Sequence, residues 1–157
     1  MIRLRLSVSG AGARGLRAAA AKLPEQLGTL TQQSAEQTQA ALKARAPVSK
    51  QRPGGPVPGA LRRSIMFDLE GTRATFAASQ IADYVIGGTD PHDIEPRSKR
   101  ALAFFWDRVG DQVVFMRVRH PGTSPNDFRI PALDEAAGQA DTLIDALGDE
   151  ILDTISQ

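Results

Sequence analysis

"HPGTSPNDFRIPALDEA" runs from His120 to Ala136 and holds the change from one kind of local structure to another. Its first half is rich in proline, glycine and small polar residues, which is turn chemistry. Its second half opens a helical pattern. Leu133, Ala137, Ala140, Ile144, Leu147, Ile151 and Ile155 recur at spacings of three and four, giving an apolar stripe. Pro131 suits a first helical turn, and Asp134 and Glu135 complement the helix dipole there. The pattern predicts a helix from about Pro131 to Ile155, ~37 Å long. Gly138 and Gly148 each weaken it by ~1 kcal/mol relative to alanine. Its apolar stripe is expected to lie across one face of a sheet.

That sheet is read from the residues upstream. "ALAFFWDRVGDQVVFMRVRH" (Ala101 to His120) has two halves rich in aromatic and β-branched residues on either side of a turn, the clearest hairpin in the chain. Before it comes "GGTDPHDIEP" (Gly87 to Pro96), whose residues resemble those of the His120 loop in another order. Ile2, Leu4, Leu6 and Val8 alternate with polar residues as in a half-buried strand. "SGAGARG" (Ser9 to Gly15) is read as a turn. A helical pattern starts near Arg14 and is interrupted at Pro24, and a second runs from about Pro24 to Arg45, so one or two helices are expected. Ala46 to Ala60 contains four prolines and three glycines and reads as a mobile loop inside a single domain, 1–157. Arg63, Ile65, Phe67 and Leu69 alternate as one strand, Ala74, Phe76 and Ala78 as its hairpin partner, and "DYVIGG" as a short apolar strand. The fold class is therefore α+β, an antiparallel sheet of about five strands flanked by N-terminal helices and a long C-terminal helix.

The composition removes several function classes. The net charge of +1 supplies no global field toward nucleic acid or an acidic membrane. There is no cysteine, so disulfides, thiolate catalysis and cysteine metal sites are excluded. No apolar run approaches the ~20 residues that span a bilayer. The amino terminus lacks the apolar core of a signal peptide, and a soluble protein kept in a cytoplasm is expected.

Little in the sequence points to a reaction. His92 and His120 are the only groups that titrate near neutral pH, and their spacing to Asp93, Glu95 and Asp127 matches no metal motif. Each lies beside a proline in a turn, where a ring nitrogen can bond a loop carbonyl. Thr89, Thr123 and Ser124 lack a nucleophile elbow. Gly10, Gly12 and Gly15 spell a dinucleotide fingerprint without the strand–helix–strand order it requires. No catalytic residue, metal or cofactor is therefore assigned. Arg62, Arg63, Arg97, Lys99 and Arg100 form basic patches suited to solvent or a partner. Phe104, Phe105, Trp106 and Phe115 place half of the chain's eight aromatics in one hairpin. A ribbon apolar on both faces must bury the second face against something. Phe105, Trp106 and Phe115, with Pro53, Pro56 and Pro58 of the proline loop, are the candidate interface residues.

Four pieces then occur in one order: a helix ending "APV", "GALRRSI", "DYVIGGTDPHDIEP" and "HPGTSPNDFRIPALDEA". Together they resemble the neck or tail-completion (head–tail joining) protein family of long-tailed double-stranded DNA phages, over roughly Leu16 to Ala137. The chain departs from the family pattern where "SKQRPGGPVPG" replaces a short Asp-Thr-Gly, and at Gly87. The resemblance implies a non-enzymatic virion protein acting in the host cytoplasm during assembly and then at the head–tail interface of the virion. Its implied partners are further copies in a ring around the DNA channel, head-connector and tail proteins, and passing DNA without sequence recognition, but no membrane. The alternatives are another virion role (tail terminator or minor capsid protein), a small histidine-dependent hydrolase, or a DNA-binding module.

Because a hairpin brings its ends together, the two loops that bracket the aromatic ribbon are expected to be neighbours. Gly88, Thr89, Pro91 and His92 with His120, Pro121, Gly122 and Thr123 would form a rigid corner joining sheet to terminal helix. Phe128 would plug the core beneath it.

Overall fold

The computed structural model describes residues 10–49 and 57–156. The expected N-terminal strand, Ile2 to Val8, and Pro53 and Pro56 of the proline loop lie outside them. The elements in chain order are helix α1 (Ala11–Arg45), short helix α2 (Ala60–Ser64), strands β1 (Met66–Glu70) and β2 (Arg73–Ala77), helix α3 (Ile81–Gly87), strands β3 (His92–Ile94), β4 (Leu102–Trp106), β5 (Asp111–Phe115) and β6 (Val118–His120), and helix α4 (Arg129–Ser156). The class is α+β, with a long N-terminal helix, small antiparallel sheets and a C-terminal helix.

Among the described residues the single sheet of about five strands is not formed; they hold three two-stranded sheets, β1–β2, β3–β6 and β4–β5. Two of them are consecutive parts of one arm. β3 pairs with β6 in the register His92 to His120, and β4 with β5 in the register Leu102 to Phe115. On the outgoing side Glu95 to Ala101 separate the two ladders; on the return side only Met116 and Arg117 do. This excess of five residues breaks one hairpin into two ribbons and so caps the sheet size. At the tip, the Val109 and Gly110 amides both donate to the Trp106 carbonyl at 2.9 Å, and Gly110 takes φ +77°.

Three further expectations are corrected. α1 is one helix of 35 residues that begins at Ala11 and runs through Pro24. Proline removes one backbone bond and costs about 3 kcal/mol in a helix interior, a loss that a helix this long absorbs. "DYVIGG" is helical in α3, closed by Gly88 at φ +69°. A short apolar run does not by itself distinguish strand from helix. Arg63 belongs to α2 and Ile65 is that helix's C-cap, so β1 starts only at Met66.

By its internal packing the chain sorts into two compact units: residues 1–41, 67–75 and 133–157, and residues 42–66 and 76–132. In the first, α4 lies beside α1. Leu143, Ala146, Leu147 and Glu150 line one groove with Lys22, Gln26, Leu30 and Gln33. At Gly15 the approach is close enough that an added Cβ would stand 2.6 Å from the Ile155 carbonyl oxygen. The stripe expected to cover a sheet is instead divided: Leu147 lines the groove with α1, while Leu133 and Ile144 are 51% and 53% exposed. The buried apolar side chains described in this unit are Ala19, Ala35, Ala41 and Ala136, all small. The second unit holds the larger buried groups, Leu42, Leu61, Ile65 and Phe128, with Ala46, Ala82 and Ala132.

Arg62 stitches the second unit together. Its Nε donates to the Ala46 carbonyl at 2.8 Å and its Nη2 to that of Ala44 at 3.2 Å. It thereby satisfies carbonyls that the end of α1 leaves without intrahelical partners. Read from sequence as part of a basic patch, Arg62 is a helix cap. Ser64 adds a second tie, its hydroxyl accepting from the Ser79 amide at 3.0 Å.

Candidate functional site

The two similar loops are the two sides of one ladder. The Thr89 amide donates to the Thr123 carbonyl and the Thr123 amide to the Thr89 carbonyl, each at 3.0 Å, and the two hydroxyls bond each other at 3.0 Å. This bridge keeps the register of β3–β6. Carried through, that register sets Pro91 opposite Pro121 and Asp90 opposite Gly122. Proline has no amide hydrogen to donate, so the ladder lapses for those positions and resumes at the threonines.

The glycines follow from the closeness of the two backbones. A Cβ on Gly122 would lie 2.2 Å from the Thr89 carbonyl oxygen, and one on Gly88 would lie 2.4 Å from that of Thr123. Both residues also take positive φ, +85° and +69°. Each position thus demands glycine twice, for conformation and for space.

His92 and His120 face each other across the ladder with ring centroids 5.0 Å apart and planes inclined by 30°. His92 Nδ1 lies 2.8 Å from the Asp90 carbonyl oxygen and must donate to it. The Gly122 amide donates to His120 Nδ1 at 3.1 Å, so that nitrogen is the unprotonated one. The assigned tautomers therefore differ, and each ring braces its own turn. Arg117 donates to Asp93 and lies 3.6 Å from Glu95; Arg119 lies 3.5 Å from Asp93. The Arg117 hydrogen bond holds the Asp93 carboxyl below its ordinary value and raises Arg117 in turn.

The corner continues into α4. The Asn126 amide donates to the Val85 carbonyl at 2.9 Å, tying the loop to α3. Asp127 accepts from the Arg129 amide at 3.2 Å and from its guanidinium Nε and Nη2 at 2.8 Å each. The Arg129 hydrogen bond lowers the Asp127 carboxyl, and the same contact raises Arg129. Phe128 is buried at the helix entrance. Gly88, Thr89, Pro91, His92, His120, Pro121, Gly122 and Thr123 are thus brought together, with Phe128 beneath the start of the helix.

The aromatic candidates are not all on one surface. Alternation along β4 and its register with β5 place Leu102, Phe104 and Trp106 on one face with Val113 and Phe115. Phe115 stands 6.1 Å from Phe104 and 5.8 Å from Trp106, the second pair edge to face. Phe105 points to the opposite face, so Phe104 takes its place in the cluster. The strand period of two already carried that information. These three rings, 36–40% exposed, line a groove of about 430 Å³ with Val118, Pro121 and the rim residues Arg117 and Arg119. Val114 and Met116 nearby are exposed as well. Pro58 stands apart from this groove, its carbonyl accepting from Arg63 at 2.9 Å.

Among the described residues no group of three or more histidine, aspartate or glutamate side chains could hold a metal ion. Among those residues no helix is long and apolar enough to cross a membrane. Comparison of the chain with protein-family models, curated proteins and solved structures finds no match. The functional reading rests on the residues themselves.

Proposed function

We propose that this chain is a structural assembly protein of a long-tailed double-stranded DNA phage or prophage, acting at the head–tail junction in a ring around the DNA channel. It joins head-connector to tail proteins, lets DNA pass without reading its sequence, and moves from the host cytoplasm into the virion.

One observation carries the reading. The loops that supply the resemblance bracket a single arm of chain and close into one braced corner, and the arm beyond it presents apolar rings to solvent. The polar groups of that corner are used on each other. The threonine hydroxyls pair, the imidazoles stack, and Asp93 and Asp127 are held by arginines. Such a corner aims an arm. Exposed clustered aromatics are what protein interfaces use.

Deleting the gene in a producing host should leave filled heads and finished tails unjoined, and a tagged copy should be seen at the neck of complete particles by electron microscopy. Joined, infectious particles made without the chain would refute the assignment.

A further inference from the structure

The aromatic groove and α4 have complementary surfaces. α4 keeps Leu133 and Ile144 about half exposed on one stripe. At 100° per residue, Asp134, Asp141 and Asp145 border that stripe on one side. The helix as a whole carries seven carboxylates against one arginine. The arm from His92 to His120 has the opposite balance, six lysines and arginines against four carboxylates. Three of its cations, Arg97, Lys99 and Arg100, sit in the extra residues between the ladders, all exposed. The lengths agree too. Leu133 and Ile144 are about 16 Å apart along a helix, and a five-residue strand spans about 17 Å.

We propose that α4 of one copy of this chain seats on the aromatic arm of the next, Leu133 and Ile144 of its stripe on Phe104, Trp106 and Phe115 and its aspartates toward Arg97, Lys99 and Arg100. The partner is a second copy, and the contact rests on the ring reading above, which it makes specific. Because different surfaces meet, the contact is head to tail, and repeated rotation closes it into a ring. Charge selects the register, and the rings supply the buried area.

Exchange of charge between purified copies tests this without particles. One variant carries Asp134→Lys, Asp141→Lys and Asp145→Lys; the other carries Arg97→Glu, Lys99→Glu and Arg100→Glu. Sedimentation at low salt should show the unaltered chain associating, more weakly as salt rises. Each variant alone should lose affinity at least about tenfold, because like charges then meet. Mixed one to one, the two should regain association, since every contact in an alternating series again pairs opposite charges. Neutral sets, aspartate to asparagine and lysine or arginine to glutamine, should give intermediate losses and guard against misfolding, with circular dichroism confirming helix content. Unimpaired association of the α4 variant would overturn the proposal and point to two arms packing face to face. Failure of the mixture to recover, or a chain that stays monomeric up to about 1 mM, would overturn it as well. Any of these results alongside a tagged chain at the particle neck would leave the assembly role standing and remove only this contact.

Discussion

β3–β6 and β4–β5 are successive stretches of one arm, yet different forces hold them. The stretch near the corner is held through its backbone: opposed prolines, two glycines that admit no side chain, a threonine bridge and two braced imidazoles. The outer stretch is held by a five-residue ladder and by three rings that pack on one another and still meet solvent. The difference separates aiming from gripping. Backbone constraints fix where the arm points. Apolar rings supply binding area, and tolerate change in a way that the glycines cannot.

Substitutions can break that comparison. The largest loss of stability is expected at Phe128→Ala, which empties a buried site where corner meets helix; about 4 kcal/mol should be lost in urea unfolding. Gly122→Ala comes next. It puts a methyl against the Thr89 carbonyl at a positive φ, and a loss of about 3 kcal/mol is expected by the same measurement. Trp106→Ala, at an exposed ring of the outer stretch, should cost only about 1 kcal/mol in stability, while weakening self-association measured by sedimentation. A Trp106→Ala loss as large as that at Gly122 would erase the distinction between the two stretches.

The smallest effect concerns pH. The folded values of Asp93 and Asp127 lie below the ordinary carboxylate range, because hydrogen bonds from Arg117 and Arg129 favour the ionised form. Their contribution to stability is therefore complete above that range and is lost as pH falls through the lowered values. Both ion pairs are solvent-accessible, so the change is small. Urea midpoints followed from pH 5 to pH 2 should fall, and Asp93→Asn should flatten the slope.

The loop pairing was legible because it needs little beyond connectivity: a hairpin joins its ends, and the loops bracket a hairpin. α4 was legible from its stripe, and β4–β5 from ring-rich halves around a turn. Phe104, not Phe105, joins the ring cluster, because the strand period of two puts Phe105 on the other face. Arg62 could not be recognised as a cap, since the carbonyls it meets belong to residues 16 and 18 positions earlier.

Local chemistry by itself determined the α+β class, the helix at the carboxyl end, the aromatic hairpin and the need for glycine and proline in both loops. Those follow from side-chain period and backbone freedom, which act within a few residues. Only the tertiary structure decided that Pro24 stays inside one helix, that "DYVIGG" coils, that the strands pair two by two, and that α4 sets part of its stripe against α1 and leaves Leu133 and Ile144 exposed. These outcomes turn on which distant surface an element meets, and burial against a distant surface outweighs the fractions of a kcal/mol by which local preferences differ.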